Sequence, residues 1–248
     1  MIYDFAELYD EQYAFYREDI PFYTRLADDY GGKVLELGSG TGRLSLALAR
    51  AGHQVTGIEL AEAMYQRALT RLEEEKLSEQ VTFLQADMRD FHLAETFDVI
   101  IAPFNTLMHA YTLADQDATF ARVSEHLAPG GVFAFDLYNP NFSQLGTLRR
   151  EAEWTHVGGE KSELFVYQMN DPDKQILMSR YYLDSVREDG SLGRRTATLT
   201  QRYYSRFELT RALAQAGLGE LKLYGDFDKR RYSSAAPKMV GTAKIKKD

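Results

Sequence analysis

The stretch Val34-Leu35-Glu36-Leu37-Gly38-Ser39-Gly40-Thr41-Gly42 joins a short apolar run to three glycines at alternate positions. The apolar run predicts a buried strand, and residues 43–51 predict a helix closed by Gly52. Glycines let the backbone turn tightly and approach a ligand without a Cβ clash. The start of the helix adds free N–H groups and a positive dipole end. The stretch therefore predicts a strand, loop and helix that together hold a nucleotide-like ligand.

The spacing of these glycines narrows the ligand class. A dinucleotide fingerprint has the form G-x-G-x-x-G, whereas Gly38, Gly40 and Gly42 follow the pattern G-x-G-x-G. This difference argues against a nicotinamide-dependent oxidoreductase. The loop also lacks the lysine of an ATP-binding phosphate loop, so a phosphate cradle of that type is not expected.

Strand and helix patterns alternate around this unit. Apolar runs predict further strands at residues 54–59, 81–85, 97–101 and 132–136, and helices at 61–76 and 116–127, the latter stopped by Pro129-Gly130-Gly131. Five such alternations predict an α/β fold with a parallel sheet covered on both faces. Ligands of these sheets bind at the carboxyl ends of the strands.

The regions outside this alternation have other patterns. Aromatic residues crowd residues 1–30, which predict amphipathic helices with Pro21 in a first turn. Three alternating strands at 162–169, 175–186 and 195–203 predict an antiparallel insert over residues 140–205. A helix at 206–216 and strands at 221–226 and 239–245 complete the chain. The predicted organisation is therefore N-terminal helices at residues 1–30, a ligand-binding core at 31–139, the antiparallel insert at 140–205 and the completion of the core sheet at 206–248.

Composition excludes several function classes. The 248 residues carry a net charge of −8, which argues against a general nucleic-acid binder, since that function needs a basic face. The chain has no cysteine and its five histidines are scattered, so we expect no metal site. It shows neither an apolar run of membrane-spanning length nor a secretory signal, and a cytoplasmic protein without a membrane partner is expected.

Two acidic residues follow the next two predicted strands. Glu59 ends the second strand about 20 residues after the loop, where a carboxylate can accept hydrogen bonds from both ribose hydroxyls of an adenosine. Asp87 closes the third strand, where its carboxylate can accept from an adenine amino group while Met88 packs on the ring. A solvated charge at Glu59 and a capping role for Asp87 remain the structural alternatives.

Together these motifs resemble a class I S-adenosylmethionine (SAM)-dependent methyltransferase. The resemblance covers about 100 residues and rests on five motifs in order: residues 34–42, 57–61, 85–88, 97–100 and 127–131. It implies a seven-stranded Rossmann-like sheet of order 3-2-1-4-5-7-6 with the last strand antiparallel. It also implies SAM as cofactor, S-adenosylhomocysteine as product, and a set of cofactor-binding residues: Tyr13, Glu36, Gly38, Ser39, Gly40, Glu59, Leu60, Asp87, Met88 and Pro103.

The insert after the fifth strand is similar to that of small-molecule N-methyltransferases, among them the aminosugar N,N-dimethyltransferases and, more loosely, glycine N-methyltransferase. Residues 5–13 resemble the tyrosine-bearing lid helix of that group, which makes Tyr13 a catalytic as well as a cofactor-binding candidate. His109 is the leading candidate for a general base that takes a proton from an amine. A structural histidine and simple helix packing by Tyr13 are the competing interpretations.

The predicted function is methyl transfer from SAM to a nitrogen of a small-molecule acceptor. A methyltransferase acting on tRNA or protein is one alternative, and a non-catalytic SAM-binding module is another. The insert can serve as a cap, a substrate surface or a dimer surface, so both a monomer and a homodimer stay open. No nucleic-acid partner is expected. The sequence does not identify the acceptor.

Overall fold

The computed structural model describes residues 6–13, 16–140, 142–155, 161–186 and 190–246. Phe5, the first residue of the N-terminal resemblance, lies outside these ranges. The described chain divides into two compact units, one formed by Tyr3–Asn139 with Tyr204–Asp248 and the other mainly by Pro140–Tyr203. Within the described ranges no helix combines the length and apolar character that a bilayer span requires.

The larger unit is built on a seven-stranded sheet. Its strands are β1 (Lys33–Leu37), β2 (Gln54–Glu59), β3 (Val81–Gln85), β4 (Phe97–Ala102), β5 (Leu127–Tyr138), β10 (Leu218–Tyr224) and β11 (Lys238–Ile245). They lie in the order β10-β11-β5-β4-β1-β2-β3, and β11 runs antiparallel to both of its neighbours. This is the predicted order 3-2-1-4-5-7-6, with β10 and β11 as its sixth and seventh strands.

The core strands form where the sequence is continuously apolar. Val34, Leu35 and Leu37 of β1 are fully buried, as expected of a central parallel strand covered on both faces. The covering helices are α1 (Ala6–Tyr13), α2 (Ile20–Tyr30), α3 (Arg43–Arg50), α4 (Glu62–Glu75), α5 (Leu113–His126) and α6 (Arg206–Gln215). Pro21 lies in the first turn of α2, as predicted.

Two boundaries in this unit differ from the prediction. Helix α5 begins at Leu113, three residues earlier than expected, because Thr112 and Asp115 form a reciprocal capping box. The segment Pro129-Gly130-Gly131 is not a turn after the helix but part of β5. A register shift between Phe97 and Val99 of β4 accommodates it, and such irregularities are where a sheet tolerates proline.

The smaller unit is an antiparallel sheet of four strands, not three. It consists of β6 (Leu148–Thr155), β7 (Lys161–Asp171), β8 (Ile176–Val186) and β9 (Leu192–Arg202), paired in chain order. Strand β6 escaped prediction because it is an edge strand rich in charge, with most of its residues exposed. The other strands alternate between buried and more exposed residues, as a sheet with one covered face does.

Candidate functional site

The loop between β1 and α3 has the backbone that its glycines predicted. Gly38, Gly40 and Gly42 have φ angles of 63°, 57° and 79°, in the left-handed region that favours glycine. A Cβ placed on Gly38 would lie 2.8 Å from the Thr106 side chain, so this glycine is required by packing. A Cβ on Gly40 would meet no protein atom within 4 Å. The backbone at Gly40 therefore faces open space, which is where a ligand can approach it closely.

Glu59 ties this loop to the end of β2. Its Oε2 accepts a hydrogen bond from the Gly40 N–H and its Oε1 accepts one from the Ala61 N–H, both at 2.8 Å. Burial raises the pKa of the carboxyl above its usual range, and the backbone bonds partly offset that rise. Each carboxylate oxygen retains a further lone pair after its backbone bond. Glu59 is thus fixed in place and can still accept from the two hydroxyls of a ribose.

Glu36 is a second acidic residue at the loop. It is 2% exposed and accepts a hydrogen bond from the Ser45 hydroxyl. Burial raises the pKa of Glu36 to about 8, with Ser45 and Arg43 acting in the opposite direction. The side chain is therefore mostly protonated at neutral pH even with Arg43 nearby. A positively charged ligand such as SAM would favour its ionised form.

Asp87 lies beyond the end of β3, next to Glu59, since the Ala86 N–H donates to the Glu59 carbonyl at 3.1 Å. The Arg89 side chain pairs with its carboxylate, with Nη2 2.6 Å from Oδ2, and this bond lowers the pKa of Asp87. Arg89 also reaches Asp115 of α5, with Nη1 2.9 Å from Oδ1. The predicted adenine acceptor is therefore held by an arginine that the motifs did not indicate.

The remaining cofactor candidates surround these acids in different ways. Leu60 follows Glu59 and is 56% exposed, so its apolar side chain is available to a planar ring. Ser39 is buried, and its Cβ lies so close to Gly57 that a Cβ placed on Gly57 would be 2.9 Å from it. Its side chain therefore points into the protein, and any contact it makes with a ligand would use the backbone. Met88 adjoins Asp87 and is half-buried.

The segment after β4 forms the next part of the site. It starts at Pro103, whose carbonyl accepts from the Thr106 hydroxyl at 2.7 Å. Phe104 and Asn105 have φ angles of 52° and 68°, unusual for residues other than glycine. Strain of this kind persists only where surrounding contacts enforce it, and it concentrates at functional sites.

Asp136 of β5 supplies the enforcing contacts. Its Oδ1 accepts from the Phe104 N–H at 2.9 Å and from the Tyr23 hydroxyl at 2.7 Å, while its carbonyl accepts from the Asn105 N–H at 3.1 Å. Burial raises the pKa of Asp136 to about 6, which leaves it ionised at neutral pH. Asp136 thus holds the segment after β4 in its strained form.

An aromatic cluster, defined here as Tyr9, Tyr13, Tyr16 and Phe104, joins the N-terminal residues to this segment. The ring centroids of Tyr13 and Phe104 are 4.8 Å apart and those of Tyr9 and Tyr13 are 4.7 Å apart. Tyr16 lies 5.0 Å from Phe104. The structure therefore places the Tyr13 ring against Phe104, on the segment after β4 that starts at Pro103 and ends at His109.

His109 ends a short 3₁₀ helix, Thr106–His109. Its Nδ1 lies 3.1 Å from the Tyr111 hydroxyl. Burial lowers the pKa of His109 to about 4, so the imidazole is neutral at physiological pH but is a weak base. It can orient an acceptor or take a proton transiently, whereas stable protonation at neutral pH is unfavourable.

The sequence motifs missed three charged residues at this site, namely Arg89, Arg43 and Asp10. Arg43 begins α3 and forms a bidentate ion pair with Asp19, with Nη1 2.8 Å from Oδ1. Its position directly after the glycine loop was a usable signal. Arg89 pairs with Asp87 two residues before it, so its position was also a usable signal. The partners of Asp10 lie 31 and 57 positions away, and no local pattern could have found that residue. Among the described residues no cluster of three or more His, Asp or Glu side chains is arranged to hold a metal.

The class I fold of SAM-dependent methyltransferases is defined by this sheet order, with a glycine loop after the first strand and acids at the strand ends. Comparisons with known proteins give the same fold class. Residues 34–131 match the family model for a methyltransferase domain. The CcbJ methyltransferase from Streptomyces caelestis superposes with a TM-score of 0.81 at 25% identity, covering 93% of this chain and 91% of that one.

Two curated relatives are similar over shorter segments. Cypemycin N-terminal methyltransferase from Streptomyces sp is 31% identical over 157 residues, 63% of this chain and 62% of the relative. The dTDP-3-amino-3,4,6-trideoxy-alpha-D-glucopyranose N,N-dimethyltransferase of Streptomyces venezuelae is 30% identical over 136 residues, 52% of this chain and 55% of the relative. The match thus spans less than two thirds of either relative. Residues 34–131 form a SAM-dependent methyltransferase domain, and the chain has the class I methyltransferase fold.

Proposed function

We propose that this protein transfers the methyl group of SAM to an amine nitrogen of a small-molecule acceptor. Two relatives at 30% identity or above are named as methyltransferases of an N-terminus and of an aminosugar nitrogen. The observation that carries the proposal is the packing of Tyr13 against Phe104, with ring centroids 4.8 Å apart, on the same segment after β4 that ends at His109. Such surroundings favour an uncharged amine over its ammonium form, and only the uncharged amine can act as nucleophile.

The chain's residues bind and orient the reactants. SAM, when bound, supplies an electrophilic methyl group, so the protein has mainly to align the nucleophile and limit access of water. Glu59 would accept from the ribose hydroxyls, and the Gly40 backbone would approach the methionine part. Asp87, with Leu60 and Met88 nearby, would bind the adenine. Tyr13 and Phe104 would cover the reacting region, and His109 would orient the amine or accept its proton.

The mechanism asks little of the base. A neutral amine already carries the lone pair that attacks the methyl group, and its proton can leave after transfer. A base with a pKa near 4 suits this order of events better than removal of a proton from a hydroxyl before attack. This difference favours nitrogen over oxygen as the methylated atom.

The proposal is tested by supplying SAM with a panel of acceptors. The panel contains aminosugar nucleotides, short peptides with free N-termini, matched hydroxyl analogues, bulk RNA and bulk protein. We expect formation of S-adenosylhomocysteine with an amine acceptor, and fragmentation spectra that place the added methyl on nitrogen. Methylation of RNA or of large proteins would favour the first alternative, and a methylated hydroxyl would refute the nitrogen assignment.

A non-catalytic SAM-binding module is distinguished in the same experiment. Such a protein binds SAM in calorimetry but forms no S-adenosylhomocysteine with any acceptor fraction, including a metabolite extract. Complete absence of SAM binding at millimolar ligand would refute both the enzyme and the binding module.

A further inference from the structure

Asp10 of α1 connects three parts of the larger unit. Its Oδ1 accepts from the Thr41 hydroxyl at 2.5 Å, and its Oδ2 accepts from Arg67 Nε at 2.8 Å. Arg71 Nη1 lies 3.5 Å from Oδ1. Thr41 belongs to the glycine loop, while both arginines belong to α4. One carboxylate therefore joins the N-terminal helix to the cofactor loop and to the helix that follows β2.

The contacted residue lies at a sensitive point of the loop. Thr41 stands between Gly40 and Gly42, both with left-handed backbones, and is 1% exposed. Its carbonyl accepts from Arg71 Nη1 at 3.2 Å. Asp10 and Arg71 therefore hold the hydroxyl and the carbonyl of the same residue, which restrains the backbone next to Gly40.

Helix α1 depends on such contacts for its position. It has eight residues, and an isolated helix of that length is unstable in water. Asp10 anchors it to the loop, while its neighbours Tyr9 and Tyr13 pack toward Phe104, with centroid distances of 6.3 Å and 4.8 Å. The helix is thus fixed at two places, one on the cofactor loop and one on the segment after β4.

We infer that Asp10 is a positioning residue, which couples the placement of Tyr9 and Tyr13 to the conformation of the SAM-binding loop. The inference rests on the proposed function in that the loop is taken to bind SAM. Asp10 need not touch the cofactor. By fixing Thr41 on one side and α1 on the other, it links a well-formed cofactor loop to a closed aromatic cluster.

The test compares SAM binding and helix protection in Asp10→Asn with the unaltered chain. Asparagine keeps the size of the side chain and a carbonyl acceptor for Thr41, but removes the charge that pairs with Arg67 and Arg71. We expect the dissociation constant for SAM, measured by calorimetry without acceptor, to rise about five- to tenfold, which is less than for loss of a charge-assisted bond to the ligand itself because Asp10 acts through the loop. Hydrogen exchange of residues 6–13 with SAM present should become faster.

Two further variants separate positioning from general stability. Asp10→Glu keeps the charge and should restore most of the affinity and protection. Glu18→Gln removes an exposed acid that pairs only with Lys238 among the described residues, at 3.3 Å, and should leave both readouts unchanged. If Asp10→Asn folds poorly, Thr41→Val removes the hydroxyl donor at constant shape and should reproduce the loss of affinity.

The outcomes are distinct. Unaltered SAM affinity and unaltered exchange of residues 6–13 in Asp10→Asn would overturn the positioning role while leaving the proposed function intact. Unaltered SAM affinity in Thr41→Val would overturn it as well, because the proposed link runs through the Thr41 hydroxyl. A wild-type chain that does not bind SAM would overturn this inference together with the proposed function.

Discussion

Replacing Glu59 with glutamine exchanges one carboxylate oxygen for an NH₂ group and removes the negative charge. In the structure each carboxylate oxygen accepts one backbone N–H, from Gly40 and from Ala61, at 2.8 Å. Glutamine keeps one carbonyl oxygen, while its NH₂ group would face the other N–H. A hydrogen bond to a charged group contributes about 1.5–3 kcal/mol. The raised pKa of Glu59 shows that burial of the charge is costly, and removal of the charge offsets part of that loss.

The expected change in the free energy of unfolding without ligand is therefore below the value of one full bond, at about 1–2 kcal/mol. For a chain of this size that corresponds to a decrease of roughly 2–8 °C in the midpoint of thermal unfolding. Binding should suffer more, because one of the two ribose hydroxyls loses its acceptor. A loss of about 1.5–3 kcal/mol raises the dissociation constant for SAM about tenfold to hundredfold.

Calorimetry with SAM, S-adenosylhomocysteine and free adenosine measures the binding term, and thermal unfolding without ligand measures the stability term. Glu62→Gln is the matched control, because Glu62 lies three residues further on and pairs only with Gln66 among the described residues. It should leave both quantities unchanged. A Glu59→Gln chain that binds SAM and adenosine within twofold of the wild type would refute the assignment of Glu59 to the ribose.

Further predictions follow from the same geometry. Gly40→Ala should abolish tight SAM binding in calorimetry at a stability cost of about 1 kcal/mol. Gly38→Ala should lower the midpoint of thermal unfolding more strongly, because its Cβ would lie 2.8 Å from Thr106. Equal loss of stability in the two variants would contradict this prediction. Because burial raises the pKa of Glu36 from 4.5 to about 8, the native state keeps a proton that the unfolded chain releases, and stability should fall as pH rises through that window. Glu36→Gln should therefore raise the unfolding midpoint more at pH ~8.5 than at pH ~5, and an equal change at both would exclude the linkage. His109→Ala should reduce turnover of an amine acceptor at least about tenfold, and His109→Asn should retain more of the turnover than the alanine variant. Wild-type turnover in the alanine variant would exclude a role of His109 in the reaction.

The central sheet was predictable because its strands are short apolar runs between clear breaks. The bounds of β1, β2 and β3 follow directly from those runs and from the polar residues that flank them. Strand β6 was not predictable in this way, because a charged edge strand has no strong apolar alternation. Pro129 was misinterpreted as the end of a helix because a proline in a strand needs a register irregularity, which only the pairing of β4 and β5 reveals.

The cofactor side of the candidate site was easier to predict from the sequence than the acceptor side, for a physical reason. Glu59 and Asp87 stand at the ends of consecutive strands, so local order along the chain already brings them together. On the acceptor side, the contact of Asp136 with Phe104 joins residues that are 32 positions apart. No spacing rule relates such residues, because their meeting depends on how helices and loops pack around the finished sheet.

That contrast bears on where acceptor specificity resides within the larger unit. In the proposed function the cofactor loop approaches SAM through its backbone at Gly40, where a Cβ would meet nothing within 4 Å. The segment after β4 instead uses ordinary side chains in a costly left-handed backbone at Phe104 and Asn105, enforced by Asp136. A strained backbone of this kind costs about 1–3 kcal/mol per residue. The segment packs against Tyr13 and ends at His109, so we expect changes at Asn105 and His109 to alter the use of the acceptor more than the affinity for SAM.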